Sequence, residues 1–185
     1  MDIQKIEFNG KIYELPPVPT ELATKAKHGL KKIQILNASP ISKLNLIYQQ
    51  IDEYNKFVKT FTVCSTGCSH CCKINVVISS IEAAYIANNL NISYDSGNNI
   101  TKDHSTSCTF LKDDTCSIYE YRPFNCRTFH TLDDPEYCKT TTEHIVYGSA
   151  EKGYGSDIYR MFKNELEQLN KHRAYRDIRD FFPNK

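Results

Sequence analysis

Cys64, Cys68, Cys71 and Cys72 fall within the nine residues CSTGCSHCC, and Cys108, Cys116, Cys126 and Cys138 follow, giving eight thiols in one chain. Thiolates are soft, charged ligands. A set this dense suits a thiophilic centre: zinc, an iron–sulfur cluster or, less well, copper(I). The pattern C-x3-C-x2-C-C admits two geometries. In a helix, residues 64, 68 and 71 share one face; in a loop wrapped around a centre, backbone amides can point at sulfur. Either way three thiols can converge. Cys71 and Cys72 cannot face the same way, because neighbours diverge by about 100° in a helix and about 180° in a strand. One of them therefore serves a second centre or a bridge. Eight thiols supply two four-cysteine sites, or one centre with spare reactive thiols. Spacing alone neither apportions them nor separates zinc from iron.

Four thiolates around zinc carry a net double negative charge, and clusters are also negative, so donors to sulfur are expected nearby. Arg122 and Arg127 flank Cys126 in YRPFNCR, Lys73 follows Cys72, and Pro123 stiffens the turn that presents the thiol. The competing role for either arginine is a surface ion pair with Glu120, Asp133 or Asp134. His70, His104 and His130 could each replace a cysteine ligand, although a non-ligand role is the commoner fate of a histidine. No nucleophile and base stand at a recognisable spacing, so no catalytic residue is assigned.

A disulfide framework and plain buried cysteines are the alternatives to metal. The chain has 185 residues, 40% hydrophobic and 24% charged, which is a globular composition. A chain of this length buries roughly 70% of its unfolded surface and needs no cross-links to hold a core. Ordinary buried cysteines do not require this density. MDIQKIEFNG lacks the apolar region of a secretion signal, and no apolar run approaches the ~20 residues of a membrane span. The expectation is a cytoplasmic protein in which thiols stay reduced, and the sequons at Asn37, Asn91 and Asn99 are then chance matches. A net charge of +1 offers no field for nucleic acid or an anionic membrane. The basic stretch KHRAYRDIR, residues 171–179, is broken by Asp177 and reads as a solvated helix face. An unidentified protein or peptide is the partner class left open.

The elements that must position these thiols are mostly helical. Asn9-Gly10 between extended residues predicts a type I′ hairpin. Helices are expected over residues 20–36, with Gly29 weakening the second half, and from Ser39-Pro40 onward, where Leu44, Ile47, Ile51, Tyr54, Val58 and Phe61 form a core stripe leading directly to Cys64. KINVVIS suits a short strand, Ser79 and Glu82 form a capping box for the next helix, and residues 91–106 read as a mobile polar loop, the place to look for a lid. Asp113 and Asp114 mark a tight turn that brings Cys108 and Cys116 close. The chain then reads as loop through Pro135 and Gly148, and Ser156 precedes an amphipathic helix carrying Ile158, Phe162, Leu166 and Leu169. YRDIRDFF extends that helix or forms a second short one. The fold class is mainly α: one metal-organised helical domain with short β-hairpins, divided into residues 1–63, a cysteine-rich metal-binding core 64–138, and a helical region 139–185.

CSTGCSHCC, ISSIEAAYIA and CTFLKDDTCSIYEYRPFNCRTF occur in that order, and in this combination the chain resembles the YkgJ-like cysteine-cluster proteins, described as zinc- or iron-chelating. In that family a cysteine precedes a short turn, followed by C-S-I-Y and R-P-x-x-C-R; here these are Cys108, Cys116 with Tyr119, and Arg122, Pro123, Cys126 and Arg127. The first spacing is three residues here and two in many members. More distantly, the segment resembles the cysteine-rich part of flagellin lysine N-methylases, which are associated with an iron–sulfur cluster. The resemblance implies a metal-binding protein holding an iron–sulfur cluster, 4Fe-4S favoured slightly over zinc. It also raises an iron–sulfur enzyme modifying a peptide or protein, and a metal delivery or storage protein. C-x3-C-x2-C also holds the cluster of radical enzymes that use S-adenosylmethionine, but the strand–helix alternation of their barrel is absent.

Overall fold

Local signals account for most of the elements. The fold is described by a computed structural model covering residues 3–65, 67–140, 143–148, 154–171 and 173–183. Strands β1 (Gln4–Phe8) and β2 (Lys11–Leu15) pair antiparallel around Asn9 and Gly10, both with positive φ, at 49° and 72°. That is the type I′ geometry in which glycine costs least. Helix α1 (Thr20–Ile35) passes so close to its neighbour at Gly29 that a Cβ there would meet the Gln50 side chain at 2.2 Å. The Gln50 amide is the far end of a flexible side chain, so it can swing aside for a larger residue.

That neighbour, α2 (Pro40–Val58), starts as expected: the Ser39 hydroxyl accepts from the Ser42 amide, and Pro40 occupies the first turn. Leu44, Ile47, Ile51, Tyr54 and Val58 are buried, while Phe61 is half-buried in the turn beyond. Helix α2 packs against α1, α3 (Ser80–Leu90) and α5 (Asp157–Asn170), so its stripe is the axis of the core. The Glu82 carboxylate accepts from the Ser79 amide at the start of α3, and Ser156 caps α5 by accepting from Tyr159.

Two pairings depart from the sequence reading. Strand β3 is only Val77–Ser79, and its partner is β8 (Tyr175–Asp177) at the far end of the chain; a short helix, α6 (Ile178–Phe181), follows. Residues 171–179 are thus not a solvated helix face. Arg176, Asp177 and Arg179 are buried because their charges are met: backbone carbonyls accept from Arg176, and the Asp177 carboxylate accepts from the Arg179 guanidinium and the Val76 amide; His172 lies outside the described residues. The region read as loop after Cys126 also contains β6 (Phe129–Thr131) paired with β7 (Val146–Gly148). The hairpin of β4 (Leu111–Lys112) and β5 (Thr115–Cys116) is as expected, with positive φ at Asp113 and Asp114. The polar stretch 91–106, expected to be mobile, is fastened: Arg176 donates to the Asp95 and Asn99 carbonyls, and Asp180 accepts from the Thr101 amide and faces His104 at 3.2 Å. No helix of the described residues is long and apolar enough to cross a membrane.

Gly148 carries a sharp constraint. At φ 152°, a Cβ on it would lie 1.6 Å from the Thr128 carbonyl oxygen, a backbone atom that cannot swing aside. Gly148→Ala is expected to cost about 3 kcal/mol through forced separation of β6 and β7, read as a lower urea midpoint. Gly10→Ala, where nothing lies within 4 Å, is expected to cost only about 1 kcal/mol.

Candidate metal centre

The chain leaves α2, turns, and runs beside β6: the Val63 amide donates to the Thr131 carbonyl at 3.1 Å, and the Thr131 amide donates to Cys64 Sγ at 3.2 Å. Of the two geometries open for CSTGCSHCC, the loop applies, ending in a 3-10 turn, His70–Lys73. At about three residues per turn, adjacent side chains there diverge by about 120°. Cys71 accordingly faces a cavity with Cys64 and Cys68, while Cys72 turns toward Cys116. The two halves of the cysteine set are joined directly by the Cys108 amide, which donates to the Cys72 carbonyl at 2.8 Å. Cys116 ends β5, Cys126 rides on the short helix α4 (Phe124–Arg127), and Cys138 is buried in a further 3-10 turn, Pro135–Lys139. All eight cysteines are free thiols.

The cavity has a volume of about 260 Å³ and is lined by Cys64, Cys68, Cys71 and Cys126, with Lys59, Ser65, Tyr119, Arg122, Phe129 and His130. Among the described residues no carboxylate lines it, so the thiols face two cations and no competing anion. Cys72, Cys108 and Cys116 form an adjoining group. The Cys72 thiol shares hydrogen bonds with Cys116 and Cys71, which keeps its own proton on and lowers Cys71 to about 7 and Cys116 to about 6. Backbone amides also reach sulfur, from Phe110 to Cys108 and from Ile118 to Cys116. Burial is the main influence on Cys64, Cys108 and Cys126 and raises all three; it pushes Cys138, with Cys64, Cys71 and Cys68 nearby, up to about 12. Among the described residues, no three or more His, Cys, Asp and Glu side chains are drawn together closely enough to hold a single ion.

The two arginines named from the sequence part company. Arg122 lines the cavity and lies over the Tyr119 ring, 3.8 Å from its centroid. Its charge favours the thiolates of Cys64, Cys71, Cys116 and Cys126, and its Nε is buried with no hydrogen-bond partner. An orphaned donor costs about 1–3 kcal/mol, and a sulfur anion bound in the cavity would offer it an acceptor. The donor set and the orphaned guanidinium therefore fit a thiolate-bound group. Arg127 does not serve the sulfurs. Its guanidinium donates to Asp52 and to the carbonyls of Arg122 and Glu120, and lies 4.4 Å from the Tyr48 ring centroid. Its acidic partner is Asp52, not the Glu120, Asp133 or Asp134 carboxylates suggested by proximity in sequence. Lys73 faces Asp114 at 3.8 Å. His70 pairs with Glu136 at 3.1 Å and His104 with Asp180 at 3.2 Å. Lys59 and Phe129 carried no signal in the sequence; the path of the chain after α2 and through β6 delivers them.

Among the described residues His130 is the one histidine at the cavity, 5% exposed, with Nε2 3.2 Å from the Tyr159 hydroxyl. Burial, then the nearby Arg122 charge, lowers its pKa to about 4. The unfolded chain takes up a proton near pH 6.5, which the folded protein refuses until about 4, so stability is full above 6.5 and falls as pH drops. The loss is on the order of 3 kcal/mol by pH 4. Urea unfolding of metal-free protein between pH 7 and 5 is expected to give a slope that His130→Gln flattens.

No curated protein and no solved structure matches the chain. One family model does, over residues 63–147, and its description is "Putative zinc- or iron-chelating domain", CxxCxxCC. The match spans the loop, three 3-10 turns, the β4–β5 hairpin and α4, and so includes all eight cysteines. The segment that builds the thiol-lined cavity, residues 63–147 of this chain, is thus the part that matches the CxxCxxCC family model.

Proposed function

We propose that this protein binds an iron–sulfur cluster through thiolates, with Cys64, Cys68, Cys71 and Cys126 as the ligands around the cavity. Cys72, Cys108 and Cys116 form a second thiolate group continuous with the first through the Cys71–Cys72 pair. The observation that carries this reading is the cavity itself: four thiols on its walls, no carboxylate, and an Arg122 Nε without a partner. Four sulfurs on one tetrahedral zinc stand about 3.8 Å apart, given Zn–S near 2.3 Å, and leave no space between them. Thiols spread around a cavity of about 260 Å³ suit a larger inorganic unit. A bound cluster supplies one-electron chemistry or a Lewis-acidic iron. The chain supplies ligands, amide and guanidinium donors to sulfur, and the walls of Tyr119, Phe129 and His130. A reducing compartment, the cytoplasm, is where eight free thiols persist.

Anaerobic purification from iron- and sulfide-replete cells, followed by metal and acid-labile sulfide analysis with a visible spectrum, tests this. Brown protein with stoichiometric iron and sulfide is expected. Colourless protein with zinc and no sulfide replaces the cluster with zinc, and protein without stoichiometric metal overturns the reading.

A further inference from the structure

Arg179 lies 32 residues past the end of the family match at residue 147, yet its side chain bonds the backbone beside both halves of the cysteine set. It is 4% exposed. Its Nη2 donates to the Ile74 carbonyl at 2.6 Å, two residues after Cys72, and its Nη1 donates to the Thr106 carbonyl at 2.5 Å, two residues before Cys108. Nε and Nη2 also donate to the Asp177 carboxylate, at 2.7 and 3.2 Å. Asp177 is itself fixed, since its Oδ2 accepts from the Val76 amide at 2.7 Å and its Oδ1 from the Arg179 amide at 2.9 Å. Around this pair the same terminal segment grips both sides: the Ile178 amide donates to the Val76 carbonyl, the Thr109 hydroxyl donates to the Phe182 carbonyl, and Phe182 packs edge-on to Phe110.

We propose that Arg179, oriented by Asp177, is a positioning residue for the thiolate centre, setting Cys72 and Cys108 in register across the Cys108 amide to Cys72 carbonyl bond. The inference rests on the thiolate-metal reading above. A guanidinium is suited to this work because its planar fork serves two carbonyls and a carboxylate at once; an ammonium has the charge without the fork. It also accounts for a buried arginine and aspartate in a terminal segment whose sequence reads as a surface.

Cobalt(II) titration of the full-length, metal-free chain under reducing, anaerobic conditions tests the role, because thiolate-to-cobalt charge-transfer intensity per bound ion reports how many sulfurs bind. Wild type is expected to show the band, and Cys108→Ser to lower it at saturation. Arg179→Gln is expected to lower it at saturation to the Cys108→Ser level, with affinity reduced at least tenfold, while Arg179→Lys recovers only part. A residue that only stabilises the fold lowers the melting temperature and leaves the saturated band alone, so a wild-type band in Arg179→Gln overturns the proposal. An unchanged band in Cys108→Ser overturns it too, by leaving no ligand to position. If wild type shows no thiolate band, the metal reading itself fails and this role falls with it. If Arg179→Gln loses its helices by circular dichroism, Arg179→Lys and Asp177→Asn decide in its place: a reduced saturated band supports the role and a wild-type band in both overturns it.

Discussion

Cys71→Ser is expected to strip the protein of metal, reducing bound metal per chain to about a tenth of wild type or less, a loss of at least ~1.4 kcal/mol in binding. Cys71 is where the two thiol groups meet. It lines the cavity with Cys64, Cys68 and Cys126, and it shares a hydrogen bond with Cys72, which in turn bonds Cys116. A serine oxygen is a harder donor than sulfur and a far weaker partner for a thiophilic centre. The fold itself has little at stake, since Cys71 is only partly buried and sits in a short 3-10 turn. Helicity of the metal-free variant is therefore expected to match wild type, which separates loss of a ligand from loss of structure. Cys138 gives the contrast: it is buried, does not line the cavity, and holds its proton up to about 12. Cys138→Ser is expected to keep more than half of the metal. Full metal content in Cys71→Ser would remove that residue from the ligand set.

What could be read from the sequence followed from how far apart the interacting residues lie. The Asn9-Gly10 turn, the caps at Ser39 and Ser156, the Ser79 and Glu82 pair and the Asp113-Asp114 turn are signals complete within a few residues, and each produced the expected element. The core stripe on α2 was equally legible, because helical periodicity repeats it five times over. The β3–β8 pairing was not, since it joins Val77 to Asp177 across more than half the chain and neither three-residue strand announces its partner. The buried charges failed for a related reason. Arg176 and Arg179 read as surface residues, and Arg127 as a donor to sulfur, because a buried guanidinium is tolerable only where carbonyls and carboxylates converge on it, and that convergence exists only once distant segments meet. The sequence reading of the site went as far as an inventory of thiols and the divergence of Cys71 from Cys72. The division into a cavity group and an adjoining group depends on where β6, α4 and the β4–β5 hairpin come to rest.

Glu82→Ala is expected to be the most destabilising single change, at about 5 kcal/mol, because one buried carboxylate joins three parts of the fold. Glu82 is 4% exposed. Its Oε2 accepts from the amide and hydroxyl of Ser79, at 2.8 and 2.7 Å, closing the start of α3; its Oε1 accepts from the Tyr48 hydroxyl of α2 at 2.9 Å and from the Phe124 amide of α4 at 2.7 Å. Arg127, over the Tyr48 ring, supplies the compensating charge nearby. Truncation leaves the Ser79 and Phe124 amides and a Tyr48 hydroxyl that is 2% exposed without their acceptor, and each abandoned buried donor costs about 1–3 kcal/mol. Glu82→Gln is expected to cost less, about 2–3 kcal/mol, because the amide keeps one acceptor oxygen but aims an N–H group at donors on the other side. Urea unfolding of metal-free protein would register both as lower midpoints with an unchanged slope. A Glu82→Ala protein within 1 kcal/mol of wild type would sink the argument. Domains of this size are stable by about 5–15 kcal/mol in total, so the alanine variant stands near the edge of folding. Since the Phe124 amide begins the helix that carries Cys126, the metal affinity of Glu82→Gln is expected to fall along with its stability, which makes the capping box of α3 part of what holds the fourth cavity thiol in place.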